Sequence, residues 1–185
     1  MNLNNFLKNK TLLLIPFLIL FAAGVWFVFQ NQKTSPTAVI TSFEECQEAG
    51  YPVAESYPAS CRTQDGQVFT QNIGNELEKM DLIRVDFPRP NVLVTSPLRI
   101  SGEARGIWFF EANFPITLVD ANGQELSQGF AVAQTDWMSE DFVPFEGKLM
   151  FESPPTSTGT LILQKSNPSG LAEQEDQLEV PVRFK

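Results

Sequence analysis

The sequence predicts an all-β sandwich of about seven strands, preceded by a small cysteine-stapled unit and by one apolar helix of transmembrane length. Three observations carry this reading. From about Leu82 onward, apolar residues alternate in short segments punctuated by Gly, Pro and Asn-Gly. The two cysteines, Cys46 and Cys61, stand close together ahead of that region. An uncharged run, LLLIPFLILFAAGVWFVF, fills residues 12–29.

The first element is that run. At about 1.5 Å per residue, its helix spans about 27 Å, close to the apolar thickness of a bilayer. A core helix would carry a polar stripe, and this run has none. Pro16 sits near its start, where a missing amide does least harm, and Trp26 suits the outer interface. Lys8, Lys10 and the terminal amine precede the run and only Lys33 follows closely, so residues 1–11 are expected in the cytoplasm and the rest outside. The competing reading is a signal peptide cut near Ala22-Ala23-Gly24, which would leave VWFVF as an exposed apolar end. Residues 30–42 (QNQKTSPTAVITS) read as a polar tether. These segments place the chain in the cytoplasmic membrane as a single-pass protein, touching lipid through residues 12–29, with its C-terminal domain extracytoplasmic.

Charge is segregated along the chain. All 22 acidic residues follow position 43. Three of the 13 basic ones, Lys8, Lys10 and Lys33, precede it, which leaves 22 acids against 10 bases and a net charge of about −12 beyond that point. Such a surface repels phosphate backbones, so no nucleic-acid partner is expected, and it disfavours lying on anionic lipid. The chain has no histidine, the commonest general base and metal ligand.

The second element, residues 43–74, is too small to hold a core alone. Outside the cytoplasm a Cys46–Cys61 disulfide is its natural staple, contributing about 3 kcal/mol in the chain-entropy model. A redox or zinc role is disfavoured, because there is no C-x-x-C spacing and no histidine. Asp65-Gly66 ahead of Val68 and Phe69 predicts a short hairpin. The order of Tyr-Pro, Cys, Asp-Gly and an aromatic here resembles Kazal inhibitors, but that family carries six cysteines where this chain has two. Residues 75–81 (NELEKMD) form one helical turn or a linker.

Residues 82–185 make up the third element. Ile83, Val85 and Phe87 alternate before Pro88 and Pro90; a strand-like stretch runs from Leu98 to Ile107 around Gly102; Phe114, Ile116 and Leu118 alternate again. Asn122-Gly123 is a hairpin signal, since both residues tolerate positive φ, and Leu126, Phe130 and Val132 belong to the return strand. Phe142–Phe151, then Leu161 with Leu163, then Leu178, Val180, Val182 and Phe184 supply the remaining strands, the last after a loop over 167–177. About seven strands in about 100 residues, with no helical period, is the signature of a two-sheet sandwich of immunoglobulin type. The inter-sheet cysteine pair of that fold is absent, so Phe, Leu, Ile and Val must fill the core.

Three segments, SPLRISGEARGIWFFEANFPITLVDANGQEL, AQTDWMSEDFVPFEGKLMF and LILQKSNPSGLAEQEDQLEVPVRF, resemble the Gmad2 family, an immunoglobulin-like domain first described in bacterial spore germination proteins. The resemblance covers about residues 83–184. It implies a bacterial, extracytoplasmic, non-catalytic domain and carries over no ligand.

The candidate site residues are Arg105, Trp108, Phe110, Trp137 and Asp141. Trp108, Phe109 and Phe110 are adjacent, and neighbours on a strand face opposite sides, so one side of the triplet must point away from the core or be covered by a loop. Trp137 lies in the loop TDWMSED. Both tryptophans either close the ends of the sandwich or form an aromatic contact patch for a partner. Arg105 could pair with Glu111, Glu140 or Asp141 and pin the loop. Asp136, Glu140 and Asp141 lack the spacing of an EF-hand, and solvated loop acids are the default.

The expected function is a non-catalytic binding or adhesion module of a bacterial cell envelope. Its partner would be an envelope protein or polysaccharide, with no cofactor and no metal. The alternatives are a structural subunit of an envelope complex held through its transmembrane segment and, more remotely, a glycan hydrolase. The last would need two carboxylates, such as Asp136 and Asp141, placed about 5–9 Å apart across a sugar.

Overall fold

A computed structural model describes residues 39–185. The expected transmembrane helix over 12–29 and most of the tether lie outside these residues. Among the described residues, no helix is long and apolar enough to cross a membrane. Ser42–Lys185 forms one compact unit.

Eight strands build the sandwich: β4 (Ile83–Phe87), β5 (Leu93–Val94), β6 (Leu98–Arg105), β7 (Asn113–Asp120), β8 (Glu125–Ala133), β9 (Phe142–Leu149), β10 (Thr158–Gln164) and β11 (Gln177–Phe184). The count exceeds the expected seven because Leu93–Val94 forms a short parallel pair with Arg183–Phe184, too brief to show an apolar alternation. Hydrogen bonding runs in the order β4-β6-β9-β8-β7-β10-β11-β5. β8 pairs with β7 along most of its length and with β9 only over Ala131–Ala133. At that short contact the sheet folds over: Phe114 on β7 meets Phe145 on β9 edge to face at 4.9 Å, although β8 lies between them in the ladder.

Alternation decides which side chains face inward. Ile83 and Val85, then Leu98, Ile100 and Ala104, then Val143, Phe145 and Leu149 line one layer. Phe114, Ile116 and Leu118, then Leu161 and Leu163, then Leu178, Val180 and Val182 line the other. Together they form one continuous buried cluster. Gly102 lets β4 approach closely, since a Cβ there would lie 2.1 Å from the Arg84 carbonyl oxygen.

The β7–β8 hairpin uses one left-handed residue where the Asn-Gly signal suggested two: only Gly123 has positive φ, +79°. The buried carboxylate of Asp120 accepts the backbone N–H of Asn122 at 2.8 Å and of Gln124 at 2.9 Å. It thereby organises a longer turn, and the register slips between Leu118 and Val119.

Ahead of the sandwich, α1 (Phe43–Glu48) is capped by Ser42, whose Oγ accepts the Glu45 N–H at 3.1 Å. β1 (Val53–Ala54), β2 (Ser60–Arg62) and β3 (Val68–Thr70) form a small antiparallel sheet, with Gly66 left-handed in the β2–β3 turn. Cys46 on α1 and Cys61 on β2 are joined by a disulfide, and both are fully buried.

The segment from Asn72 to α2 (Glu76–Lys79) is docked along the sandwich. α2 lies against both β4 and β11, at the seam between the two layers. Asn75 completes the open edge of β11: its Nδ2 donates to the Gln177 carbonyl at 3.0 Å and its Oδ1 accepts the Glu179 N–H at 2.8 Å. The Asn91 N–H reaches the Pro181 carbonyl at 2.7 Å, and Arg89 Nη1 donates to the Val85 carbonyl of β4 at 2.7 Å.

Arg89 also ties the cysteine unit to the sandwich. It pairs with Glu76 Oε1 at 2.5 Å and donates to the Tyr57 hydroxyl at 2.7 Å, while that hydroxyl donates to Glu76 Oε2. The Tyr57 ring is half-exposed, but its hydroxyl is tucked against Glu76. Desolvation, then the bond to Glu76 and its charge, push the phenol from 10.0 up to about 12. A raised phenol pKa stabilises the fold fully below pH 10, and this contribution is lost as pH rises from 10 through 12. Wild-type stability should therefore fall more steeply over that window than Tyr57→Phe, in denaturation curves measured from pH 9 to 12. Parallel pH profiles would refute the assignment.

Candidate binding surface at one end of the sandwich

Three loops converge at one end: residues 106–112, 134–141 and 165–176. The first starts where β6 stops. Instead of continuing as a strand to Ile107, the chain turns at Arg105 into one 3-10 turn, Gly106–Trp108. This corrects the strand reading and explains how the aromatic triplet is sorted. The turn breaks the two-residue period, so Trp108 and Phe109 both enter the core, at 0% and 4% exposure, while Ile107 and Phe110 face out.

Phe110 then bridges Asn113 with hydrogen bonds of 3.0 and 3.2 Å in the two directions. Between them Glu111 and Ala112 hold φ of 50° and 62°, the pair of left-handed residues that a two-residue hairpin turn requires. Neither side chain suits that region, and each costs about 1–2 kcal/mol there. Ala112→Gly should therefore stabilise the protein by about 0.5–1 kcal/mol, read as a higher denaturant midpoint with an unchanged slope. A lower midpoint would sink this account. The turn sets Phe110 opposite Asn113, which is opposite Val132, so Phe110 and Val132 lie on one outer face of the sheet.

The second loop is locked onto the first. A Cβ on Gly106 would lie 2.0 Å from the Ser139 carbonyl oxygen and 2.4 Å from that of Trp137, so only glycine permits this approach. Arg105 pins the same loop through carbonyl oxygens, and not through the carboxylates of Glu111, Glu140 or Asp141. Its Nη1 donates to the Glu140 carbonyl at 2.9 Å and its Nε to the Asp81 carbonyl at 3.2 Å. Its guanidinium stacks 4.1 Å from the Phe142 ring centroid, and Arg84 stacks on the same ring at 4.2 Å. Planar stacking and forked donors together orient Arg105 without an ion pair. Asp136 Oδ1 accepts the Met138 N–H at 3.0 Å, and the Asp141 N–H donates to Ser139 Oγ at 3.0 Å. The third loop joins through Ser166, whose N–H donates to the Trp108 carbonyl at 3.0 Å and whose Oγ donates to the Asn113 carbonyl at 2.9 Å.

The outcome is a shallow groove of about 330 Å³ lined by Gly106, Ile107, Phe109, Trp137, Met138, Ser139 and Glu140. Ile107 is 62% and Met138 76% exposed. Trp137 is half-buried and packs against the core cluster. Of the candidate residues, Arg105 and Trp137 meet at this end, and Asp141 is exposed in the same loop. Phe110 lies on the outer sheet face. Trp108 is closed off from solvent beneath the loops and offers no surface to a partner. Ile107 and Met138, which present most of the apolar surface, were not singled out by sequence reasoning. Aromatic residues drew attention, and nothing in the local pattern announced that a 3-10 turn would push Ile107 outward.

Glu140 is the one carboxylate among the groove-lining residues, so the groove does not place two carboxylates across a substrate. Among the described residues, no three His, Cys, Asp or Glu side chains are grouped so as to hold a metal ion.

Residues 82–171 match the model of Gmad2, the immunoglobulin-like domain of bacterial spore germination. No curated protein and no solved structure matches the chain. The match starts at the head of β4, takes in the first two loops and the third as far as residue 171, and ends ahead of β11. Over residues 82–171, the β-sandwich of this chain is therefore similar to the Gmad2 immunoglobulin-like domain.

Proposed function

We propose that this chain is a non-catalytic binding module of a bacterial cell envelope, anchored in the cytoplasmic membrane through residues 12–29, with residues 42–185 on the outer side and the loop-end groove as its contact surface. The observation that carries the contact role is the pairing of Ile107 and Met138 in the open beside half-buried Trp137. These three side chains line one groove, so several apolar groups stand together where water reaches them. The buried disulfide supports the outer side, because such bonds persist in oxidising compartments. The lysines ahead of residue 12 support the same orientation.

Two measurements test the reading. In intact cells carrying the full chain, a thiol-alkylating polymer should leave Cys46 and Cys61 unmodified without reductant, and the chain should remain in the carbonate-washed membrane pellet. Free thiols on a protein found in the soluble fraction would refute the placement. A photo-crosslinking residue at Met138 should give a discrete adduct in the envelope that Trp137→Ala diminishes. The same probe at Gln128, away from the groove, should give none. Equal adducts at both positions would refute the groove as the contact surface.

A further inference from the structure

The rim of the groove is charged in one sense. Asp136, Glu140 and Asp141 are exposed within the loop that forms one wall, and Glu111 is exposed on the neighbouring turn. Two cations stack on Phe142 beside this wall and both are engaged: Arg105 turns its forked donors to the carbonyls of Glu140 and Asp81, and Arg84 pairs with Glu103. The lining itself is aliphatic and aromatic, and its polar groups serve the loop. The Ser139 N–H donates to the Trp137 carbonyl at 2.8 Å, Ser139 Oγ accepts from Asp141, and Asp136 accepts from Met138.

Each candidate occupant meets this arrangement differently. A polysaccharide needs an array of free donors and acceptors beside an aromatic platform, and the groove presents Ile107 and Met138 instead. An anionic lipid surface is repelled by the rim. A second copy of this chain would bring an equally acidic surface, in a region carrying 22 acids against 10 bases beyond residue 43. A polypeptide with an apolar side chain flanked by lysine or arginine satisfies both the lining and the rim.

On the reading that the groove is the contact surface, we infer that its occupant is a segment of a partner protein, with one aliphatic or aromatic anchor seated between Ile107, Trp137 and Met138 and basic residues on either side facing Asp136, Glu140 and Asp141. The anchor supplies affinity through desolvated apolar contact. The basic flanks supply discrimination and on-rate, and their contribution weakens with salt.

The test is selection of a random heptapeptide phage library on the full chain in lipid nanodiscs. The captured peptides are then sorted by whether they still bind the Ile107→Ser/Met138→Ser chain. Groove-dependent peptides should pair an apolar residue with lysine or arginine. Their affinity should fall about tenfold for the Asp136→Asn/Glu140→Gln/Asp141→Asn chain, the sum of three exposed ion pairs. Asparagine at 136 keeps the acceptor that Met138 uses, so both variants should retain the wild-type melting temperature. Groove-dependent peptides that are acidic or neutral, or whose binding is indifferent to the triple substitution, would overturn the inference while leaving the groove as a contact surface. Selection that gives no groove-dependent peptide at all would overturn both.

Discussion

Gly74→Ala should lower stability by about 3–5 kcal/mol, one of the two largest single-residue effects expected outside the disulfide. Two costs combine. Gly74 has φ +69°, a left-handed conformation that charges an alanine about 1–2 kcal/mol. The new Cβ would also lie 1.9 Å from the Glu179 carbonyl oxygen and 2.9 Å from its carbon. Both atoms are backbone of β11, which cannot swing aside as a flexible side chain would. The segment must lift, and overpacking of that kind costs about 1–3 kcal/mol. Lifting also strains the two hydrogen bonds through which Asn75 completes the β11 edge. In a unit of this size the melting temperature should drop by roughly 10 °C, measured by circular dichroism on the full chain. Asn75→Ala should lose less, about 1–3 kcal/mol, because it removes the hydrogen bonds without the clash. A melting temperature for Gly74→Ala within about 2 °C of wild type would show that the segment is not seated as described.

Trp108→Ala should cost about 3–5 kcal/mol, the range for removing a fully buried large aromatic side chain. Trp108 is the largest side chain with no exposure, and it sits under the joint of the three loops, its carbonyl held by Ser166. The damage should reach beyond global stability. Residues 106–112 and 165–176 should exchange amide hydrogens faster, since the cavity lies directly beneath them. Met138→Ser gives the contrast: it removes surface that water already reaches, so stability should stay within about 0.5 kcal/mol of wild type while groove binding is lost. If the two substitutions destabilised the protein equally, Trp108 would not be the keystone of this end.

The strands were the legible part of this protein. A period of two across Phe114-Ile116-Leu118 and Leu178-Val180-Val182 is imposed by burial on one face, and burial is what a sequence records most directly. The cysteine pair was legible for the same kind of reason, since a stapled small unit has few alternatives. The Ser42–Glu45 spacing of a helix cap was also present, yet α1 was not anticipated, because its six residues are too few for an apolar period to register beside the cap. Asn75 was illegible in a stronger sense. Its role depends on Gln177 and Glu179, about 100 residues away, and no local propensity encodes such a partner. The groove falls between these cases. Trp137 and Arg105 were visible as residue types. The exposure of Ile107 and Met138 depends on a single 3-10 turn and on Gly106 admitting two carbonyls, which only the tertiary arrangement specifies.

The edge coverings of β4 and β11 have a consequence for how this domain behaves when cut free. Asn75 and Asn91 occupy the ladder positions of β11, and Arg89 occupies the Val85 carbonyl on β4. A fragment beginning at residue 82 would keep the last two and lose the first together with α2. It would leave the N-terminal half of β11 as an unpaired strand flank, an invitation to pair with a neighbouring molecule. Such a fragment should self-associate at concentrations where the chain from residue 42 stays dispersed, so Asn75 and α2 act as an edge guard built into the same polypeptide.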